Sequence, residues 1–199
     1  LISGPGCPVC VTPIGYMDML LQIALEPDVI IASYGDLMRV PGSLGNLESV
    51  RAKGADVQLV ISPLDALKKA RENPGKKVVF PAIGFETTAP GTAVALIKAK
   101  EWDIQNFFVL ASHRTMPEAM AKLASGKINI DGFIGPGHVS CITGSDVYGF
   151  LAAKYGIPVV ISGFEPVDLL MSLLMILKQA RAAKAAVENQ YSRAVKPEG

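Results

Sequence analysis

Two cysteines lie three residues apart within residues 3–13, which read Ser-Gly-Pro-Gly-Cys-Pro-Val-Cys-Val-Thr-Pro. Cys7 and Cys10 are two of only three cysteines among the 199 residues of the chain. The glycines permit sharp bends and the prolines stiffen the backbone, so the loop holds two sulfurs close together. The pattern that follows predicts a helix from about Pro13, and the partial positive charge at its N-terminus would lower a thiol pKa. We therefore expect Cys7 and Cys10 to be a reactive pair.

Three interpretations of this pair stay open from the residues alone. A thiol–disulfide pair needs only Cys7 and Cys10. A tetrahedral zinc site would need two further ligands, and the spacing of the available ones, His113, His138 and Cys141, is not that of a local zinc motif. In the third interpretation the two thiols are simply buried in a structural turn.

A carboxylate and two hydroxyls follow a predicted strand within residues 84–90, Gly-Phe-Glu-Thr-Thr-Ala-Pro. One of the two threonines, Thr87 or Thr88, could cap the next helix by accepting a hydrogen bond from its backbone. Capping would leave Glu86 unexplained, because a carboxylate at this place can bind a cation or take a proton. The loop has neither a Walker lysine nor a GxGxxG pattern, so it offers little support for a nucleotide site.

The two histidines of the chain both follow predicted strands. Residues 135–140, Gly-Pro-Gly-His-Val-Ser, place His138 in a rigid loop, at the position that Cys7 occupies after its own Gly-Pro-Gly. A histidine held by rigid residues at a strand end favours a functional role over a structural one. His113 lies in a less constrained segment, and Cys141 receives no role.

Composition excludes several classes of protein. The net charge is +1 and no cluster of Lys and Arg stands out, which argues against nucleic acid as a partner. The longest apolar run, residues 169–177, is much shorter than the roughly 20 residues that cross a bilayer. Three cysteines are too few for a secreted disulfide scaffold, so we expect a cytoplasmic protein. Because the sequence begins at Leu1 within a predicted strand, we expect it to be an internal part of a longer chain.

Short β-rich runs alternate with helical patterns along the whole sequence, which predicts an α/β fold of doubly wound, mostly parallel sheets. The predicted strands cover residues 29–33, 57–61, 77–83, 107–111, 132–134 and 158–162. The predicted helices cover residues 14–25, 44–53, 63–73, 88–100, 117–125, 144–155 and 165–191.

The chain also repeats parts of this pattern. A Gly-Pro-Gly loop, a threonine, a helix and a strand follow one another from residue 4 and again from residue 135, and Gly-Phe-Glu recurs at 84 and 163. We therefore predict two similar Rossmann-like units, residues 1–74 and 75–165, whose loops line a shared cleft. Residues 166–199 are predicted to form a long crossover helix.

These motifs together resemble the HypD family of hydrogenase maturation factors. The resemblance extends over essentially the whole chain and rests on residues 3–13, 84–90, 135–140, 163–166 (Gly-Phe-Glu-Pro) and 188–191 (Glu-Asn-Gln-Tyr). It implies a scaffold that, with the small chaperone HypC, assembles the iron centre of [NiFe]-hydrogenase. That centre carries two cyanides and one carbon monoxide, and the partner HypE supplies the cyanide.

By the same resemblance, Cys7 and Cys10 would be a redox-active pair that serves ligand attachment. The family's iron-associated cysteine, in a Cys-Gly-Thr-His segment, would precede residue 1, and the cysteines of its [4Fe–4S] cluster would follow residue 199. The helix in 166–199 would then lead toward the cluster domain. The residues expected to line the assembly cleft are Glu86, Thr87, Thr88 and His138. His113 is expected to bind the cofactor together with Thr87 and Thr88.

Two other functions compete with this one. A thiol–disulfide oxidoreductase would use the CxxC pair on protein substrates, but it would not need the loops that carry Glu86 and His138. An α/β enzyme with a small-molecule substrate would use CxxC only as a structural turn. Whether the chain catalyses a reaction or only holds the centre stays open.

Overall fold

The long apolar runs of the sequence become parallel strands covered by helices. The computed structural model describes residues 2, 4, 6–9, 12–126 and 129–199, and the chain divides into two units, Leu1–Arg114 and Thr115–Gly199. In chain order, the elements of the first unit are α1 (Ile14–Ala24), β1 (Val29–Ser33), α2 (Leu47–Ala52), β2 (Asp56–Leu59), α3 (Pro63–Glu72), β3 (Lys77–Gly84), α4 (Ala89–Glu101) and β4 (Phe107–His113).

The first unit contains a four-stranded sheet in the order β2-β1-β3-β4, and all of its pairs are parallel. Neighbouring residues of β1 belong to opposite cores, because successive side chains of a strand point to opposite faces. Ile31 packs with Leu20 of α1, whereas Ile30 packs with Leu67 of α3 and Ala95 of α4. Both faces are therefore buried, which explains why β1 and β3 read as continuous apolar runs.

The second unit contains a three-stranded parallel sheet in the order β5-β6-β7. In chain order, its elements are α5 (Met116–Ala124), β5 (Phe133–Pro136), α6 (Gly137–Thr143), α7 (Gly149–Tyr155), β6 (Val159–Ser162), α8 (Pro166–Ala182) and β7 (Val187–Asn189). The α/β class and the parallel sheets predicted from the sequence are confirmed. Within the described ranges, none of the helices combines the length and the apolar character that crossing a membrane requires.

The division into units differs from the boundaries expected after residues 74 and 165. The first unit extends to Arg114 because β3 and β4 pair into the sheet that β1 and β2 begin.

The predicted helix over 165–191 was wrong over its last nine residues. Helix α8 ends at Ala182, and Ala183 adopts a left-handed conformation with φ 50°. The buried side chain of Gln179 accepts a hydrogen bond from the backbone N–H of Ala186 at 2.8 Å. It thereby turns the chain back toward the sheet, where β7 pairs with β6. Residues 187–199 thus belong to the second unit.

The rigid loop predicted over residues 135–140 is instead mostly helical, because α6 begins within it. Helix α6 starts at Gly137, where a Cβ atom would collide with the backbone carbonyl of Ser162. Ser140 supports the first turn by donating its hydroxyl to the Pro136 carbonyl at 2.8 Å. The helix ends at Gly144, whose φ of 76° suits glycine.

Asn106 fastens the start of β4 to the connection between α3 and β3. Its side-chain amide nitrogen lies 2.9, 2.9 and 2.8 Å from the carbonyl oxygens of Ala70, Asn73 and Lys76. One side chain therefore satisfies carbonyls from the end of a helix and from the turn that follows it.

We predict that Asn106→Ala lowers the free energy of unfolding by about 1–3 kcal/mol, because it removes the side-chain donor that the Ala70, Asn73 and Lys76 carbonyls share. Urea denaturation of the variant measures the change. The neighbouring exposed amide in Gln105→Ala is the matched control and should change stability far less. Equal losses in the two variants would show that the Asn106 contacts contribute nothing particular.

His113 ends β4 as a half-buried residue, and its Nε2 atom is buried without a hydrogen-bond partner. Burial lowers the pKa of this imidazole because it disfavours the charged form. The unfolded chain, in which a histidine titrates near about 6.5, then binds the proton more readily than the folded chain does.

The free energy of unfolding should therefore fall as the pH drops below about 6.5, where the unfolded state takes up the extra proton. In His113→Gln this part of the pH dependence should disappear, so the variant should show a shallower loss of stability between about pH 7 and pH 5. Denaturation at a series of pH values tests this, and an unchanged slope in the variant would contradict it.

Candidate functional site

The carboxyl ends of β3 and β4 bring together candidate residues from two separate parts of the sequence. Gly84 pairs with His113 in the parallel register, and the backbone N–H of Arg114 donates to the Gly84 carbonyl at 2.9 Å. Glu86 follows two residues after Gly84 and is half-buried. Its Oε2 atom and Nε2 of His113 are both shielded from solvent. In open α/β sheets this edge is where ligands bind.

A tight turn holds the Gly84–Thr88 segment. The Thr88 backbone N–H and the Thr88 hydroxyl each donate to the Phe85 carbonyl at 3.1 Å. A Cβ atom at position 84 would overlap the Thr88 hydroxyl, so only glycine allows the turn to close this far. Thr88 occupies the N-cap position of α4, but the prediction that a threonine caps the helix through its side chain was wrong, because this hydroxyl donates to a carbonyl. Thr87 is exposed beside it.

Cys7 is exposed and lies in the segment that leads into α1. Thr12 tightens this segment by donating its hydroxyl to the Pro8 carbonyl at 3.0 Å and its N–H to the Val9 carbonyl at 3.2 Å. The predicted helix start is confirmed, with Pro13 at the N-cap of α1. Cys10, the second thiol of the predicted pair, lies outside the described residues.

Tyr16 fixes the first turn of α1 to the later half of β4. Its hydroxyl donates to the Leu110 carbonyl at 2.8 Å, and its ring is buried in the core. The same burial raises the pKa of this phenol far above its usual value, so it remains a donor throughout the physiological range. Because Leu110 lies three residues before His113, Tyr16 anchors α1 near the strand end that carries His113.

His138 belongs to the second unit, where it lies in the first turn of α6 just beyond β5. Its imidazole is exposed and packs against the Phe164 ring, with 4.5 Å between ring centroids. Strands β5 and β6 are in register at Pro136 and Ser162, so their carboxyl ends place these two side chains beside each other. The shared cleft between the units stays a prediction.

A charged cluster next to this contact was not anticipated from the sequence. Arg193 binds both carboxylate oxygens of Asp168, at 3.0 and 2.5 Å, and Oε2 of Glu165 at 2.6 Å. Gln190 donates to Asp168 at 2.7 Å. Hydrogen bonds from Arg193 first, and then from its neighbours, hold the pKa of the Asp168 carboxyl well below its usual range. The Glu-Asn-Gln-Tyr segment that ends at Tyr191 was the available sign that this region has a specific role.

Among residues 2, 4, 6–9, 12–126 and 129–199, no three His, Cys, Asp or Glu side chains are arranged to hold a metal ion. The Cys₂His₂ zinc site considered from the sequence would need Cys10, which lies outside these ranges. The described side chains at the strand ends can thus accept and donate protons, but they do not by themselves form a metal centre.

The family model for HypD, the hydrogenase formation hypA family, matches residues 1–199. The chain is 51% identical to the hydrogenase maturation factor HypD of Rhodobacter capsulatus over 199 residues and 50% identical to that of Escherichia coli strain K12. It is 49% identical to the hydrogenase maturation factor HypD2 of Bradyrhizobium diazoefficiens. Each match covers 100% of this chain and 53%, 53% and 54% of the relative, so the chain spans about half the length of these relatives. The chain belongs to the HypD family of hydrogenase maturation factors.

Proposed function

We propose that this chain is the part of a hydrogenase maturation scaffold that handles the cyanide and carbon monoxide ligands of an iron centre, using the Cys7/Cys10 dithiol as its redox group. It works in the cytoplasm with a small HypC-type chaperone and receives cyanide from a HypE-type donor. The iron with its ligands is cargo that the assembly passes on, and the chain holds it only in transit.

The proposal is carried by one combination of features in the first unit of this HypD-family chain: Cys7 is exposed, and Glu86 and His113, which can both exchange protons, lie at the same edge of the sheet. Cys7 precedes a helix whose first turn Tyr16 anchors to β4, and Glu86 and His113 lie at the ends of β3 and β4. An exposed thiol can reach a partner's carrier group, which a buried structural cysteine cannot.

The dithiol supplies the electrons that releasing cyanide from sulfur requires. Two thiolates that become a disulfide lose two electrons, and one S–S bond forms. Breaking a bond between sulfur and cyanide to give a thiolate and a cyanide ion consumes two electrons. One oxidation of Cys7 and Cys10 therefore balances the release of one cyanide. Two successive one-electron transfers, for which the family's [4Fe–4S] cluster would serve, would return the pair to the dithiol.

Release of cyanide also requires a base that takes the thiol protons and a donor that stabilises the anion. We assign the first role to Glu86 and the second to His138. Thiolates are the reactive form, so a nearby base must take their protons, and a half-buried carboxylate such as Glu86 is suited to that task. His138 is exposed and can donate a hydrogen bond to a bound anion. Thr87 offers an exposed hydroxyl beside Glu86 for the same purpose, whereas the Thr88 hydroxyl already donates to the Phe85 carbonyl.

Iron itself would need ligands from beyond the described side chains, because these contain no three-residue metal group. A cysteine outside residues 1–199 suits this role, in keeping with the family resemblance. We therefore propose that the described side chains surround the iron and do not supply its full set of ligands.

We predict that Cys7→Ser or Cys10→Ser in the full-length protein reduces hydrogenase maturation to background, because a single thiol cannot close a disulfide. Hydrogenase activity in cells that lack their own copy of the protein measures maturation, and circular dichroism checks that the variants fold. Cys141→Ser, which removes an exposed cysteine of the second unit, is the matched control and should mature hydrogenase normally. Normal maturation in both CxxC variants would contradict the dithiol role. Reduction of a generic protein disulfide by the wild type would favour an oxidoreductase instead.

We also predict that Glu86→Gln lowers the maturation rate at least about tenfold, which corresponds to a loss of about 1.4 kcal/mol in the rate-limiting step. The amide preserves the shape of the side chain but cannot take a proton. The control is Glu101→Gln at the end of α4, whose carboxylate pairs with Lys98 at 2.7 Å on the surface and should matter little. Equal rates for the wild type and both variants would remove Glu86 from the mechanism.

A further inference from the structure

The second unit ties its C-terminal segment to the turn that carries Phe164. Arg193 lies in the C-terminal segment, and its side chain contacts Asp168 in the first turn of α8 and Glu165 just before that helix. The bond to Asp168 uses two nitrogens of the guanidinium and both carboxylate oxygens. Such a two-pronged pair fixes both distance and angle, which a single ammonium contact does not.

Asp168 is buried even though it is charged, with only 5% of its surface exposed. A buried carboxylate is stable only when hydrogen bonds satisfy its oxygens, and here Arg193 and Gln190 provide them. The carboxylate packs so closely on Gly163 that a Cβ atom at this position would overlap Oδ2 of Asp168. A cluster of four side chains therefore holds the backbone of the Gly-Phe-Glu turn at 163–165 in place. Its members are Asp168, Arg193, Glu165 and Gln190.

Phe164 needs this support because little else holds it. Its side chain is 60% exposed, so burial in the core does not set the direction of the ring. The ring nevertheless packs on the His138 imidazole at 4.5 Å between centroids, with 39° between the planes. The position of the ring must then come from the turn. The cluster holds this turn together with the Ser162 hydroxyl, which donates to the Gly163 carbonyl at 2.8 Å.

We infer that Arg193 is a positioning residue for His138: through Asp168 and Glu165 it locks the turn that presents Phe164, and the Phe164 ring fixes the orientation of the imidazole. Only the purpose of orienting His138 rests on the proposed function. The contact and its support are properties of the second unit.

The Tyr191 ring contacts both the Arg193 guanidinium and the two turns that carry His138 and Phe164. The Arg193 guanidinium carbon lies 4.5 Å above its centroid, and Tyr191 also borders Gly137 and Gly163, the glycines that precede His138 and Phe164. Stacking on an aromatic face holds the guanidinium plane in place. Tyr191 and Arg193 thus support both halves of the His138–Phe164 contact.

Nuclear magnetic resonance of the histidine side chains tests the inference directly. The 199 residues contain two histidines, so protein labelled with ¹³C-histidine gives few imidazole signals, and His138→Gln identifies the one from His138. Phe164→Leu removes the aromatic ring and measures the full ring-current shift that Phe164 imposes on His138. We expect Arg193→Gln to abolish at least half of that shift while the His113 signal stays in place.

Two further variants separate positioning from general damage. Arg193→Lys keeps the positive charge but cannot form the two-pronged contact, so it should restore only part of the ring-current shift. This variant also tests the inference if Arg193→Gln fails to fold. Arg71→Gln removes another guanidinium stacked on an aromatic ring, that of Trp102 at 5.6 Å, and should leave the His138 signal unchanged.

A full His138 ring-current shift in Arg193→Gln or Arg193→Lys would overturn the inference, and so would a Phe164→Leu variant in which the His138 signal does not move. Maturation assays on the same variants report separately on the proposed function. A lost shift with normal maturation would contradict the role of His138 in maturation and leave its positioning by Arg193 intact.

Discussion

The parallel pairing of β3 with β4 is the constraint on which the candidate site of the first unit depends. Seven consecutive residue pairs, from Val78 with Phe107 to Gly84 with His113, bring the two strands to the same edge of the sheet. Because the strands run in the same direction, whatever follows each of them meets at that edge. The Gly84–Thr88 turn and His113 are neighbours for this reason, although more than twenty residues separate them in the sequence.

The second unit must also position the turns at its strand ends, but its sheet is smaller. Its strands β5 and β6 pair over only four residues, and β7 adds three more pairs. A short sheet positions its end loops less firmly, so the unit adds side-chain connections. Glycine at 137 lets α6 start against the backbone of Ser162, and the buried Asp168 carboxylate packs on Gly163. The charged cluster therefore does for the Phe164 turn what strand pairing does for the Glu86 turn.

The sequence allowed much of this to be predicted, but only where a local pattern suffices. Six of the seven strands in the described part of the chain were predicted because runs such as 77–83 are apolar without interruption. Strand β7 was missed because Val187–Asn189 contains a single apolar residue and pairs only when β6 is beside it. Helix α6 was missed because Gly-Pro-Gly favours a loop in isolation. Asp168 and Arg193 could not be paired in advance, since they are 25 positions apart in the sequence and nothing local selects one carboxylate for one guanidinium.

The two turns share one physical logic, and it bears on how a scaffold for reactive ligands must be built. A group that accepts a proton or holds an anion is useful only if it is already in place when the cargo arrives, because ordering it afterwards costs conformational entropy. In the first unit a glycine and a threonine close the turn that presents Glu86. In the second, the ion pair between the buried Asp168 and the partly exposed Arg193 closes the turn beside His138. Both devices act through the backbone of a turn, and His138 beside the second turn stays exposed.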